Sequence, residues 1–128
     1  PTGRLVTQYL ELEDALSQIA RVGFHVKDLG LLDSALERQK TSLFGEDAYP
    51  SLSLKAAALM HSVINNHPMV DGNKRTSWLL VNAFLYINGY FFETSTEEGL
   101  ELTLGLATDK LNLEDAATFI AARIVERS

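Results

Sequence analysis

The sequence predicts an all-α fold, a compact helical bundle, on three observations. Apolar residues recur at helical spacing in one segment after another, and glycine, proline and asparagine punctuate the joins between segments. The stretch from Lys74 to Gly89 is apolar on nearly all sides, which predicts a central buried helix around which the others pack. Leu5, Tyr9, Leu12, Leu16 and Ile19 form the stripe of a first helix that stops at Gly23. A turn from His25 to Gly30 leads to a second, shorter helix with Leu32, Ala35 and Leu36 inside, reaching about Lys40. Ser42 to Pro50, with Gly45 and the Glu46-Asp47 pair, reads as an ordered, exposed loop. Leu52, Ala56, Leu59 and Val63, widened by Met60 and Ile64, mark a third helix that Pro68 closes.

The central helix follows over Lys74 to Gly89, with Trp78 inside the core and Asn88-Gly89 as a left-handed stop. Tyr90 to Phe92 reads as a brief extended segment. Thr96 is expected to cap a helix to about Ala107, with Leu100, Leu104 and Ala107 inward. Asn112 is expected to cap a last helix with Leu113, Ala116, Ile120 and Ile124 inside.

A chain of 128 residues is expected to form one domain, residues 1–128, and 46% hydrophobic with 22% charged residues is ordinary for a globular protein. The net charge of -6 argues against nucleic-acid binding, which needs an excess of lysine and arginine on some face. Without cysteine there are no disulfides or thiolate metal sites. That absence of cysteine fits a reducing cytoplasm, the expected location, and no apolar run reaches membrane-spanning length and no basic-then-apolar signal peptide opens the chain.

One stretch carries chemistry. His67-Pro68-Met69-Val70-Asp71-Gly72-Asn73-Lys74-Arg75 sets an imidazole, a carboxylate, a glycine and two cations just before the central helix. Imidazole titrates near neutral pH, which makes His67 the natural general base for an attacking hydroxyl. Asp71 is better suited to holding magnesium against phosphate oxygens, since carboxylates are ordinarily too acidic for efficient base work. Gly72 permits a left-handed backbone and close approach of a ligand, and Asn73 can pin the loop or cap the helix. Lys74 and Arg75 oppose the positive end of the helix dipole, so their position predicts a bound anion. Singly, each residue has a plain reading: a histidine after a helix is more often a C-terminal cap, and Asp-Gly-Asn is a common turn. Jointly they point to phosphoryl or nucleotidyl transfer. His25 and His61 lack such company and are expected to be structural or solvated.

The stretch resembles the signature of the Fic/Doc superfamily, which in adenylyl-transferring Fic proteins runs His-x-Phe-x-Asp/Glu-Gly-Asn-Gly-x-Arg. Lys74 stands where those proteins have the second glycine, and the Asn73-Lys74-Arg75 ending resembles the Doc, or death-on-curing, branch. The similarity extends to Gly30-Leu31-Leu32-Asp33-Ser34-Ala35-Leu36, to Leu43-Phe44-Gly45 through Tyr49-Pro50, and to Asn65-Asn66-His67-Pro68. The resemblance implies the compact helical Fic fold and a toxin of a bacterial toxin–antitoxin pair. Such a toxin transfers the γ-phosphate of ATP, with Mg2+, to a threonine of elongation factor Tu, and translation stops. It implies His67 as base, Asp71 as the magnesium-positioning carboxylate, Asn73, Lys74 and Arg75 as the nucleotide-phosphate cradle, and Gly72 shaping the anion hole. The Ser42 to Pro50 loop corresponds to the flap that positions a target segment. Lysine for glycine fills space used in the AMP-transferring pose, so the nucleotide must lie differently.

Met69 departs from the pattern, standing where the family has a phenylalanine that anchors the loop; anchoring is expected to survive with less rigidity and weakened turnover. Thr94-x-x-x-Glu98-Gly99 fits a short inhibitory motif of some Fic proteins, but carboxylates in the first turn of a helix have sufficient structural reason. The expected restraint is instead a separate, Phd-like antitoxin folding over residues 67 to 75. The rivals to phosphate transfer are AMP transfer, on the shared Asp71-Gly72-Asn73 core, and a non-catalytic module that grips an anion or partner.

Overall fold

In the computed structural model, which describes residues 6–128, six α-helices make up the body of the chain, flanked by one small hairpin and by a second two-stranded sheet whose strands come from distant parts of the chain. In chain order these are α1 (Leu12–Arg21), α2 (Leu29–Glu37), a single 3-10 turn (Arg38–Lys40), β1 (Ser42–Leu43), β2 (Glu46–Asp47), α3 (Leu52–Asn66), α4 (Asn73–Ile87), β3 (Tyr90–Phe92), α5 (Thr96–Ala107), α6 (Leu113–Ala121) and β4 (Ile124–Glu126). The protein is therefore predominantly helical. The expected exposed loop is an antiparallel hairpin pairing Ser42 with Asp47 and Leu43 with Glu46, and the aromatic segment at Tyr90 pairs antiparallel with β4, Phe91 opposite Val125.

The central helix is α3 rather than α4. α3 packs most extensively against α4 and α6, and also against α2 and α5. Ala56, Leu59, Met60, Val63 and Ile64 are all buried on it. α4 buries Leu80, Val81, Phe84 and Leu85, but its opposite side is only partly covered by α1, so Leu79 and Ala83 are half-buried and Tyr86 and Ile87 are exposed. An all-round apolar pattern does not say how many neighbours a helix has, and here α3 took the middle of the bundle.

Four helices start as local chemistry dictates. Asp28, Ser51, Ser95 and Asn112 each accept a backbone N–H from the first turn of α2, α3, α5 and α6. Ser95, not Thr96, is thus the α5 cap, in a reciprocal box with Glu98. On α5 the inward residues are Leu102, Thr103 and Leu106, whereas Leu100 and Leu104 are exposed, so the expected face is displaced. Ile124 lies in β4 beyond the last helix.

The first helix begins at Leu12, later than its apolar stripe predicts; Leu5 lies outside the described residues. The residues before Leu12 stay outside the helix while distant side chains take up the backbone polar groups of Gln8 and Leu10. The buried Gln39 amide bonds both the N–H and the C=O of Leu10, at 3.3 and 3.0 Å, and Asn88 does the same for Gln8 at 2.8 Å each. Leu10 is buried all the same, so the stripe identified a core residue while mistaking its backbone.

Candidate active site

The loop between α3 and α4 is built by backbone pairing with a segment far back in the chain. Lys27 and Asp28 donate their N–H groups to the Pro68 carbonyl at 2.8 and 3.1 Å, and Val70 donates to the His25 carbonyl at 3.0 Å, forming a bridge between Val26 and Met69. Met69 is 1% exposed and packs in the core, so it anchors the loop in the role expected of the family's phenylalanine. Its N–H donates to Asn73 Oδ1 at 2.9 Å, which turns the Asn73 amide nitrogen toward His67 Nδ1, 3.5 Å away.

His67 is the C-cap of α3 in the left-handed region, φ 52 and ψ 55, with an exposed side chain. Gly72 is the N-cap of α4 at φ 78, and no side chain caps that helix. Asn73, Lys74 and Arg75 form its first turn without any acidic residue. The positive end of α4 therefore coincides with two exposed cations, an arrangement that an anion stabilises. Arg75 stacks over the Phe24 ring at 4.9 Å and folds back across Gly72, where an added Cβ would lie 2.9 Å from its Nη2. Its contact with Asp71 Oδ2 is 3.7 Å between largely exposed groups, which contributes little and leaves both available to a ligand. The structure thus brings His67, Asp71, Gly72, Asn73, Lys74 and Arg75 into one loop and helix start.

Among the described residues no group of three or more histidines or carboxylates could hold a metal by itself. A lone exposed Asp71 still fits magnesium, which keeps several waters and is commonly held by one or two carboxylates together with substrate phosphates.

A cavity of about 370 Å³ opens beside the cationic turn, lined by Lys74, Arg75, Trp78, Thr94, Gly99 and Leu100 among others. Trp78 was expected in the core; it is half-buried, packs on Phe92 at 5.0 Å between ring centroids, and walls this cavity with its remaining surface. Phe24, Thr94 and Leu100 had no signal in the motif, because separate parts of the chain supply them.

Glu98 does not point at the loop. Its carboxylate accepts the Ser95 N–H at 3.0 Å and pairs with Arg123 at 3.0 Å, and these contacts, the backbone one foremost, hold it below the usual carboxylate range. The inhibitory pattern is therefore accounted for by a helix cap and an ion pair. Glu98→Gln, which removes the charge from this cap and ion pair, is expected to lower thermal stability, measured by thermal unfolding; an unchanged melting temperature would mean that the two contacts do not account for the carboxylate. Of the other histidines, His25 is exposed, and His61 sits in a polar cluster where burial, then the neighbouring Arg38, pushes its pKa down.

A histidine-bearing loop between two packed helices, followed by a cationic helix start that no side chain caps, is an arrangement that an anion would stabilise, and comparison with known proteins identifies the family. The chain belongs to the Fic/DOC family, whose model matches residues 5–85. It is 41% identical over 121 residues to Toxin Doc of Mycolicibacterium smegmatis, covering 91% of this chain and 93% of that protein. It is also 40% identical over 74 residues to Protein adenylyltransferase Fic of Drosophila ananassae and of Drosophila melanogaster, a match that spans 54% of this chain but only 14% of those longer proteins.

Proposed function

We propose that this chain is a Doc-type toxin, a protein kinase that transfers the γ-phosphate of ATP to a hydroxyl side chain of a target protein. A threonine of elongation factor Tu is the proposed target, reached in the cytoplasm, and a Phd-like antitoxin is the proposed restraint. The observation that carries this reading is Lys74: similarity to a Doc toxin over nearly the whole chain coincides with a lysine at the uncapped start of α4, where adenylyl-transferring proteins have glycine.

In this reading the first-turn N–H groups of α4, with Asn73, Lys74 and Arg75, hold the nucleotide phosphates, and the turn at Gly72 shapes the hole. The cavity walled by Trp78 and Leu100 takes the nucleoside. Asp71 would hold magnesium, which when bound would supply positive charge to offset that developing on the transferred group. His67 removes the proton from the target hydroxyl as its oxygen attacks the γ-phosphorus and the bond to the ADP oxygen breaks. The Asn73 amide nitrogen, 3.5 Å from Nδ1, keeps the imidazole beside the helix start.

AMP transfer is the second reading, favoured by the similarity to adenylyltransferases across the motif. A non-catalytic anion- or partner-binding module is the third; it predicts no covalent product. Incubation with magnesium, ATP and elongation factor Tu, read by intact mass, tests all three. A phosphate-sized gain is expected, an AMP-sized gain would move the protein to the second reading, and no gain on any target would favour the third. Asp71→Asn is expected to reduce transfer and to change its magnesium dependence; an unaltered magnesium profile would remove the metal role.

A further inference from the structure

The Ser42 to Pro50 hairpin has two-residue strands, a length at which pairing alone does not hold a conformation. Its tip is bare: Phe44 is fully exposed at φ 53, and Leu43 is 61% exposed. What orients it is a pair of cations beneath its stem. Lys55, only 2% exposed on α3, donates to Asp47 Oδ2 at 3.0 Å and to the Tyr49 carbonyl, so it grips the returning strand and the residues after it. Arg38, from the turn before the hairpin, donates from Nε to the Tyr49 hydroxyl at 2.7 Å and from Nη1 to Ser62 Oγ on α3 at 3.1 Å. The stem is closed by Ala48 N–H to the Thr41 carbonyl at 2.9 Å.

We infer that Lys55 is a positioning residue: it fixes the hairpin to α3 so that a target segment lying against the hairpin is held in register with His67 at the end of the same helix. The inference deepens the transfer reading and rests on it. Lys55 and His67 share one helix and stand about 18 Å apart along its axis, so the helix sets a fixed span between hairpin stem and imidazole. A buried lysine is a poor choice for stability alone, since an apolar side chain of similar volume would avoid desolvating the charge. Its two acceptors both belong to the hairpin stem, which accounts for a charge where the α3 stripe calls for an apolar residue.

The test is Lys55→Met, which keeps the length of the side chain, with Asp47→Asn as a second variant from the exposed side of the pair. Amide exchange at Ala48 is expected to rise roughly tenfold while amides in the core of α4 hold. In transfer assays the KM for the protein target is expected to rise about tenfold, with ATP affinity unchanged. Hairpin exchange at the unsubstituted rate, or equal losses in ATP affinity and target KM, would overturn the positioning role. The two readings fail separately. An unsubstituted chain that transfers nothing removes the transfer reading and this role with it; a chain that transfers, with variants equal to it in target KM, removes only the role of Lys55.

Discussion

Replacement of His67 by glycine is expected to reduce phosphoryl transfer by about 10² to 10⁴-fold while making the protein slightly more stable. The two effects have different origins. A positioned general base contributes that order of rate, and glycine has no proton acceptor to replace it. His67 also occupies the left-handed C-cap of α3, at φ 52, where a side chain costs energy that glycine avoids, so a gain of up to about 1 kcal/mol is expected. A histidine kept at a position where glycine fits better is what a catalytic requirement predicts. Thermal unfolding and a transfer assay on the same preparation check both halves. If His67 were only a helix cap, the glycine variant would be more stable and equally active.

Met69→Ala is expected to give the largest loss of stability, about 2 to 5 kcal/mol from lost contacts and the cavity left behind. At the middle of that range the melting temperature should fall by roughly 10 °C. The residue is 1% exposed, and its backbone bridges Val26 on one side and bonds Asn73 on the other. The variant should therefore lose transfer beyond what unfolding explains, measured well below its melting point. Met69→Phe is expected to shift stability or turnover in a measurable way, because the pocket is already filled and a rigid ring must displace neighbours. No change in either quantity would mean that the side chain does not anchor the loop.

Much of the helical fold was legible because burial and local capping act over a few residues. Asn112 announces a helix start, and the stripe from Ala56 to Ile64 announces a buried face. The candidate site could be proposed for the same reason: His67 through Arg75 form a contiguous stretch whose side chains need only a helix end and a helix start to meet. Errors arose where a partner distant in sequence intervened. Gln39 takes up the backbone polar groups of Leu10 outside the helix, and the docking of α5 turns Leu100 and Leu104 outward. Lys55 carried a signal, a charge within an apolar stripe, whose meaning required the hairpin above it.

By itself the sequence determined the helical class, the family resemblance and the residues of the candidate site, since these depend on periodicity and on neighbours along the chain. Only the tertiary structure decided that α3 rather than α4 is central, that the His25 to Asp28 segment braces the loop, that Phe24 supports Arg75, and that Trp78 walls a cavity. Each of these is a contact between residues far apart in sequence, and such contacts are set by which buried faces and unpaired backbone groups find one another when the whole chain packs.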